Sequence, residues 1–176
     1  GVAYADIFTG LYSTIAIQSA LISRSNNGKG CHIDMALFDT QLGVLANQAS
    51  SFLATGKIPT RMGNSHPSIV PYQLFYAKDG PFIMACGNDQ QFKKFCIEFN
   101  LNLFKEKKFC KNHLRVTYRE ELINFLSDFF KKMEMNEILS KLDTAGVPNG
   151  PINDLKQAFC EKQAKHRKMI KKINDN

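Results

Sequence analysis

The sequence predicts an α/β fold in which a helical segment precedes a small α+β domain, and three observations support this prediction. Apolar residues recur at helical spacing over residues 7–22. Two apolar runs flank an Asp-Gly turn at residues 79–80, which is typical of a β-hairpin. Three stretches with helical periodicity follow between residues 89 and 145. With 176 residues, 44% hydrophobic and 22% charged, the chain suits one domain with a core of its own.

The N-terminal segment, residues 1–55, is predicted to be mainly helical. Its elements in chain order are a helix over residues 7–22, a loop at 25–30, a short strand at 31–35 and a helix over 36–53. Both helices are apolar on more than one side. We therefore expect them to be buried against structure that these residues do not supply, in a longer chain.

A linker is predicted over residues 56–64, because Gly56, Pro59 and Gly63 interrupt regular structure. The α+β domain is assigned to residues 65–150, and residues 151–176 are a return linker with a basic tail. The predicted elements of the domain are strands at residues 69–76 and 81–86 and helices at 89–99, 119–133 and 136–145.

Local signals refine the three helices. Thr117 followed by Glu120 is a capping-box pattern, so the second helix should begin there. Gly146 and Pro148 should end the third helix. The predicted buried stripes are Phe92, Phe95 and Cys96 in the first helix and Leu122, Phe125, Leu126 and Phe129 in the second.

The net charge is +7, and most of it lies in the tail. From Lys156 onward there are seven basic and two acidic residues, which leaves +5 there. This segment has no aromatic interleaving beyond Phe159 and no nucleic-acid motif, so we expect a solvated end and no nucleic-acid partner. No uncharged apolar run reaches about 18 residues and no secretory signal pattern opens the chain, so we expect no membrane span and no signal peptide.

The five cysteines are scattered without a paired pattern, which is typical of reduced thiols. Cys110 and His113 have the spacing of a metal-ligand pair, but no second pair completes a site. We therefore expect no metal.

Asp6 is the first candidate for chemistry. It precedes an apolar helix, where aspartate is a preferred N-cap because its carboxylate accepts hydrogen bonds from unpaired backbone N–H groups. The same position favours the carboxylate anion, which is the nucleophilic form. A cap and a nucleophile are therefore both open at Asp6.

Three further polar positions have a structural and a functional interpretation. His66, in the segment 63–68, is either a catalytic base or a polar loop residue. Asp89 lies where an N-cap belongs. The segment 28–30, Gly-Lys-Gly, lacks the upstream Gly and following Ser/Thr of a phosphate-binding loop, which favours a plain turn.

A series of short motifs, taken in order, resembles the class III acyl-CoA transferases, the family that also contains 2-methylacyl-CoA racemases. The match covers the chain up to about Phe159, and residues 68–73 and 150–153 are most similar to succinyl-CoA:glutarate CoA-transferases. The motifs lie at residues 5–12, 28–30, 33–34, 71–75, 78–80, 87–92, 112–116 and 146–153.

The resemblance implies a two-domain protein whose large Rossmann-like domain is built from both ends of the chain. Residues 1–55 would belong to that CoA-binding domain and residues 65–150 would form the small domain. Two such subunits interlock into a homodimer. Coenzyme A is then a substrate and no cofactor is required, most contacts to CoA lie upstream, and the 176 residues alone would be inactive. The implied location is the mitochondrial matrix or the cytoplasm.

The resemblance also assigns roles to individual residues. Asp6 matches the catalytic aspartate, which forms mixed anhydrides and an aspartyl-CoA thioester while CoA moves from a succinyl-CoA-like donor to a small carboxylic or dicarboxylic acid. Ser65 and His66 occupy the place of a glycine-rich active-site loop in some relatives. Asp89 falls where racemases carry a site carboxylate.

Two alternatives to the transferase follow from the same residues. In an acyl-CoA racemase or epimerase, Asp6 would act as an acid/base with an upstream histidine. In a non-catalytic interaction domain, the lysine-rich tail after residue 155 would bind the partner.

Overall fold

A computed structural model describes residues 1–171, which divide into an N-terminal unit, Gly1–Arg61, and a C-terminal unit that begins at Met62. Lys172 and Asp175, which contribute to the predicted basic tail, lie outside the described residues. The helices are α1 Tyr4–Asn27, α2 Leu37–Gly43, α3 Ala46–Thr55, α4 Asp89–Glu98, α5 Asn112–Thr117, α6 Arg119–Phe130, α7 Met135–Ala145, α8 Leu155–Cys160 and α9 Lys162–His166. The strands are β1 Tyr72–Tyr76, β2 Pro81–Ala85 and β3 Asn149–Pro151.

The first helix, α1, is longer than predicted, because the polar residues 25–27 remain helical. Gly28 ends it with a φ of 72° and donates its backbone N–H to the Arg24 carbonyl at 2.8 Å. Only glycine adopts this left-handed conformation without a steric cost, so the turn predicted at residues 28–30 is confirmed as the helix C-cap.

Two predictions for the N-terminal unit were wrong. Residues 31–35 form no strand, since no partner strand lies beside them among the described residues. The single helix predicted over residues 36–53 is instead two helices, α2 and α3, separated at Val44 and Leu45. Gly43 ends α2 and Ala46 adopts a φ of 48°, so the chain changes direction where continuous helix was expected.

The N-terminal unit buries very little of its apolar surface. Among residues 1–61 only Thr40 is buried, and α1 has no buried residue. Within the part of the chain that the structure describes, α1 is the one helix whose length and composition would allow it to cross a bilayer. Core helices of globular proteins share these properties, so the expectation of no membrane span stays a prediction.

An antiparallel three-stranded sheet with the order β1-β2-β3 organises the C-terminal unit. Tyr72 pairs with Ala85 and Tyr76 with Pro81, which confirms the predicted hairpin. Its turn closes through a hydrogen bond of 2.8 Å from the Ala77 N–H to the Gly80 carbonyl. The third strand, β3, pairs Met84 with Asn149 and was not predicted, because its Asn-Gly-Pro sequence is typical of a turn.

Phenylalanine rings fill the core beside this sheet. Phe130 of α6 lies at the centre, with its ring 5.2 Å from Phe82, 5.3 Å from Phe75 and 5.8 Å from Phe99. The predicted stripes were right for Phe92, Phe95, Cys96, Leu122 and Leu126, all of which are buried. Phe125 was predicted to be buried but is 45% exposed, because Phe130, one turn after Leu126, occupies the core position instead. Phe129, also predicted to be buried, is half-buried.

The capping box predicted at Thr117 and Glu120 is absent. Helix α6 does begin at Arg119, but its N-cap residue is Tyr118 and no side chain caps it. Thr117 is still part of α5, where its hydroxyl donates to the His113 carbonyl at 3.1 Å. Helix α5, which was not predicted, therefore places Thr117 where it cannot cap α6.

Candidate functional site

Asp6 lies in the first turn of α1 but is not its cap. Ala3 occupies the N-cap position, so Asp6 is the third residue of the helix and the predicted N-cap role is wrong. Its side chain is exposed and makes no hydrogen bond or ion pair with any described residue. The geometry therefore leaves a carboxylate available for chemistry.

The candidate residues Ser65 and His66 belong to the segment 64–71, which we call the His66 loop. Asn64 accepts the Leu74 N–H through Oδ1 at 2.8 Å, and the Ser65 hydroxyl donates to Gln73 Oε1 at 3.1 Å. The backbone N–H of His66 donates to the Tyr72 carbonyl at 3.0 Å. These bonds attach the start of the loop to strand β1.

Three side chains from residues 112–119 hold the rest of the loop. Asn112 and Arg115 lie on α5 and Arg119 is the first residue of α6, and we call these three the clamp residues. Asn112 donates from Nδ2 to the Ser68 carbonyl at 2.7 Å and accepts the Val70 N–H at 3.2 Å.

The two arginines complete the clamp. Arg115 is fully buried, and its Nε donates to the Val70 carbonyl at 2.7 Å while Nη1 donates to the Phe109 carbonyl at 2.9 Å. Arg119 donates from Nη2 to the carbonyls of His66 and Pro67, both at 2.8 Å. The loop is therefore held along its length by hydrogen bonds to its backbone.

Asp89 belongs to this clamp rather than to a helix cap. The N-cap of α4 is Asn88, whose side chain accepts the Gln91 N–H at 2.9 Å, so the cap predicted at Asp89 was one residue late. Asp89 Oδ1 accepts from Arg115 Nη2 at 2.9 Å, and Lys111 lies 3.7 Å from its other oxygen. Its carboxylate neutralises the buried Arg115 guanidinium, which gives Asp89 a structural role.

The imidazole of His66 is half-buried, and two contacts fix its orientation. Its ring stacks on Tyr72 with centroids 5.2 Å apart. Nδ1 accepts the backbone N–H of Ser68 at 3.2 Å. Nε2 makes no hydrogen bond with any described residue, so one nitrogen of the ring remains available to a ligand.

The structure brings the His66 loop and Asp89 together through Arg115, whereas Asp6 belongs to the other unit. Within residues 1–171, no three His, Cys, Asp or Glu side chains form a group that could hold a metal ion. The clamp residues were not predicted. Their signal was the polar residues within 112–119, which overlap the family-like motif at residues 112–116.

Comparisons with known proteins identify the fold. The model of the CoA-transferase family III matches residues 1–176. A CAIB/BAIF family protein from Brucella suis has a solved structure that aligns with a TM-score of 0.77 at 53% identity, over 96% of this chain and 45% of that one. The structure of the protein Rv3272 from Mycobacterium tuberculosis aligns with a TM-score of 0.79 at 19% identity, and this similarity supports the fold alone.

Two curated relatives have similar sequences. The succinate–glutarate CoA-transferase of Agrobacterium fabrum is 42% identical over 168 residues, which is 95% of this chain and 42% of that protein. The human succinyl-CoA:glutarate CoA-transferase is 41% identical over 171 residues, 97% of this chain and 39% of that protein. The chain spans about two fifths of the length of these relatives. It belongs to CoA-transferase family III.

Proposed function

We propose that the full-length protein is a CoA-transferase that moves CoA from a succinyl-CoA-like thioester to a small dicarboxylic acid such as glutarate. The observation that carries the proposal is Asp6, an exposed carboxylate without a partner among the described residues, in the first turn of α1. The 40% level of identity to glutarate CoA-transferases over nearly the whole chain supports the substrate class.

The reaction begins when the Asp6 carboxylate attacks the thioester carbonyl of the donor. The C–S bond breaks, which gives a mixed anhydride between Asp6 and the donor acid and releases CoA as a thiolate. The thiolate then attacks the aspartyl carbonyl of the anhydride. This step forms an aspartyl-CoA thioester and releases the donor as a free carboxylate.

The second half of the reaction repeats these steps with the acceptor. The acceptor carboxylate attacks the aspartyl-CoA thioester, and a new anhydride forms as the CoA thiolate leaves. Attack of the thiolate on the acceptor carbonyl gives the new acyl-CoA and restores the Asp6 carboxylate. Each electrophile is already activated as a thioester or an anhydride, so the exchange needs no external energy source.

The substrates set the expected partners of the complete protein. These are an acyl-CoA and a small carboxylic acid, with coenzyme A as substrate rather than resident cofactor. An interlocked homodimer, the absence of nucleic-acid and membrane partners, and a location in the mitochondrial matrix or cytoplasm stay predictions.

A chemical trap tests the role of Asp6 in the full-length protein. The protein is incubated with succinyl-CoA and quenched with hydroxylamine or borohydride, and the modified peptide is mapped by mass spectrometry. Hydroxylamine converts the activated aspartyl group into a hydroxamate, and borohydride reduces its thioester to an alcohol. We expect both modifications at Asp6, and we expect Asp6→Asn to lower transfer by at least about a thousandfold.

Asp39 provides a matched control. It is also exposed and also the third residue of its helix, α2, so Asp39→Asn removes an equivalent charge. This variant should keep the transferase activity. Exchange of the substrate α-proton without any modification of Asp6 would favour the racemase instead. Partner binding that disappears when the chain is cut after residue 155, without transferase activity, would favour the basic interaction domain.

A further inference from the structure

The His66 loop has the properties of a rigid binding segment. Four of its backbone carbonyls accept hydrogen bonds from the clamp residues, those of His66, Pro67, Ser68 and Val70. Side chains held in this way lose little conformational entropy when they bind a ligand. The His66 side chain is therefore preorganised for binding a ligand.

The hydrogen bond at Nδ1 determines which nitrogen of His66 carries the proton. Nδ1 accepts the Ser68 N–H, so a proton on Nδ1 would face the amide proton of Ser68. The neutral imidazole consequently has its proton on Nε2. In this form Nε2 is a hydrogen-bond donor, and it has no lone pair with which to accept a proton as a general base.

A positively charged side chain contacts the backbone of the loop. Arg119 Nη2 contacts the carbonyls of His66 and Pro67, yet the guanidinium forms no ion pair with any described residue. Its Nη1 is buried and has no hydrogen-bond partner among the same residues. Burial lowers the pKa of this guanidinium, as expected for a cation without a nearby carboxylate. Arg119 thus brings a positive charge without an ion-pair partner among the described residues to the loop, which favours an anionic ligand.

We propose that the His66 loop binds the free carboxylate of the dicarboxylic acid, the one that is not joined to CoA. His66 donates from Nε2–H to a carboxylate oxygen, and Arg119 positions the loop through its backbone carbonyls and supplies positive charge there. The inference rests on the proposed transferase function. It makes His66 a specificity residue that separates dicarboxylic from monocarboxylic acids, and not a catalytic base.

The test compares two CoA esters with acyl chains of equal length. Glutaryl-CoA carries the distal carboxylate and pentanoyl-CoA lacks it. Their dissociation constants are measured by isothermal titration calorimetry on the full-length Asp6→Asn protein, which the esters do not acylate at Asp6, and KM and kcat are measured on the protein with Asp6, with glutarate and pentanoate as acceptors. A hydrogen bond to a charged group predicts that the protein with His66 binds glutaryl-CoA about tenfold to a hundredfold more tightly than pentanoyl-CoA.

Two amide variants distinguish the role of Nδ1 from the role of Nε2. In His66→Asn, the amide oxygen can still accept the Ser68 N–H, but the donor at the Nε2 position is gone. In His66→Gln, the longer side chain returns an N–H donor near that position. We expect His66→Asn to reduce the preference for glutaryl-CoA to about twofold or less, and His66→Gln to restore most of it.

The expected kinetic change is a higher KM for glutarate in His66→Asn, with kcat and all constants for pentanoate within about twofold of the wild type. An unchanged preference in His66→Asn overturns the proposal, as does an equal loss for both CoA esters, which indicates a structural role. If His66→Asn does not fold, His66→Phe keeps a ring that can stack on Tyr72 and decides in its place. A protein that transfers no CoA refutes the proposed function, while the two dissociation constants still decide on His66.

Discussion

Arg115 illustrates how a single residue holds the C-terminal unit together. Its guanidinium is fully buried, and it stacks over the Phe92 ring at 4.4 Å while donating to two carbonyls and to Asp89. A buried guanidinium is tolerated only when its donors and charge are matched. The Val70 carbonyl and the Asp89 carboxylate provide this match, which ties the His66 loop to helix α4.

We predict that Arg115→Met lowers the free energy of unfolding by about 2–4 kcal/mol, because it leaves the Val70 and Phe109 carbonyls without the Arg115 donors and removes the shorter ion pair of Asp89. Urea unfolding followed by circular dichroism measures the change. Lys111→Met is the control, since Lys111 pairs with the same Asp89 but is exposed. It should change stability by less than about 0.5 kcal/mol. Equal effects of the two variants would contradict this account.

The cysteines differ in the reactivity that their surroundings allow. Burial raises the pKa of the Cys86 and Cys96 thiols from 9.0 to about 12. Cys31, Cys110 and Cys160 are exposed. At pH 8 we expect iodoacetamide to modify these three thiols in the native protein and the buried pair only after unfolding. Peptide mapping by mass spectrometry checks this, and equal modification rates would show that the core opens readily.

The same two thiols contribute to the pH dependence of stability. Above pH 9 the unfolded chain releases their protons, whereas the folded chain retains them up to about pH 12. The unfolded state then binds fewer protons, so stability falls as the pH rises through this window. Cys86→Ala/Cys96→Ala should show a smaller loss of stability between pH 9 and pH 11 in urea unfolding.

At the scale of elements, sequence patterns correctly predicted the helices and turns whose conformation depends on residues close in sequence. The Asp-Gly turn, the amphipathic stripe of α4 and the glycine that ends α7 all act within a few positions. Elements that depend on distant partners were missed. Strand β3 has only three residues and exists because β2 offers it a hydrogen-bonding edge.

The orientation of α6 is a second case in which distant contacts decide. Periodicity alone does not distinguish Phe125 from Phe130 as the core residue, since both lie beside the stripe of Leu122 and Leu126. The helix is rotated so that Phe130 meets rings from β1, β2 and α4. Phe125 instead stacks on Phe129 near the surface.

This rotation predicts unequal effects of two alanine substitutions in one helix. Phe130→Ala removes a fully buried ring and should cost about 3–5 kcal/mol of unfolding free energy. Phe125→Ala should cost less than about 1 kcal/mol, because its ring already contacts solvent. Thermal and urea unfolding measure both values. A larger loss for Phe125→Ala would mean that α6 faces the core differently.

At the scale of the whole molecule, the candidate site was only partly predictable. Asp6 and His66 were proposed from their neighbours in sequence and from the resemblance to a family. Their surroundings were not, because the bond from Arg115 to Val70 joins residues 45 positions apart. Sequence patterns carry no direct signal for such pairs, whereas the fold creates them when α5 packs beside the segment before β1.

The two units differ strongly in how they use their apolar residues. Every residue of the buried core cluster lies between Val70 and Val147, within the C-terminal unit. The N-terminal unit instead leaves large apolar side chains exposed, and a groove of about 700 Å³ lies among them. Its lining residues are Leu42, Leu45, Gln48, Ala49, Phe52, Leu53, Ile58 and Pro59. The hydrophobic free energy of folding is therefore concentrated in one unit.

This asymmetry predicts which part of the chain folds independently. A protein comprising residues 62–171 contains the complete core cluster and should unfold cooperatively, with a dispersed amide NMR spectrum and a sigmoidal thermal transition. Residues 1–61 alone should give neither, and should bind a hydrophobic dye, because almost none of their side chains are buried. Cooperative unfolding of residues 1–61 alone would show that the unit has a core of its own. Loss of cooperativity in residues 62–171 would show that the phenylalanine cluster is insufficient without further contacts.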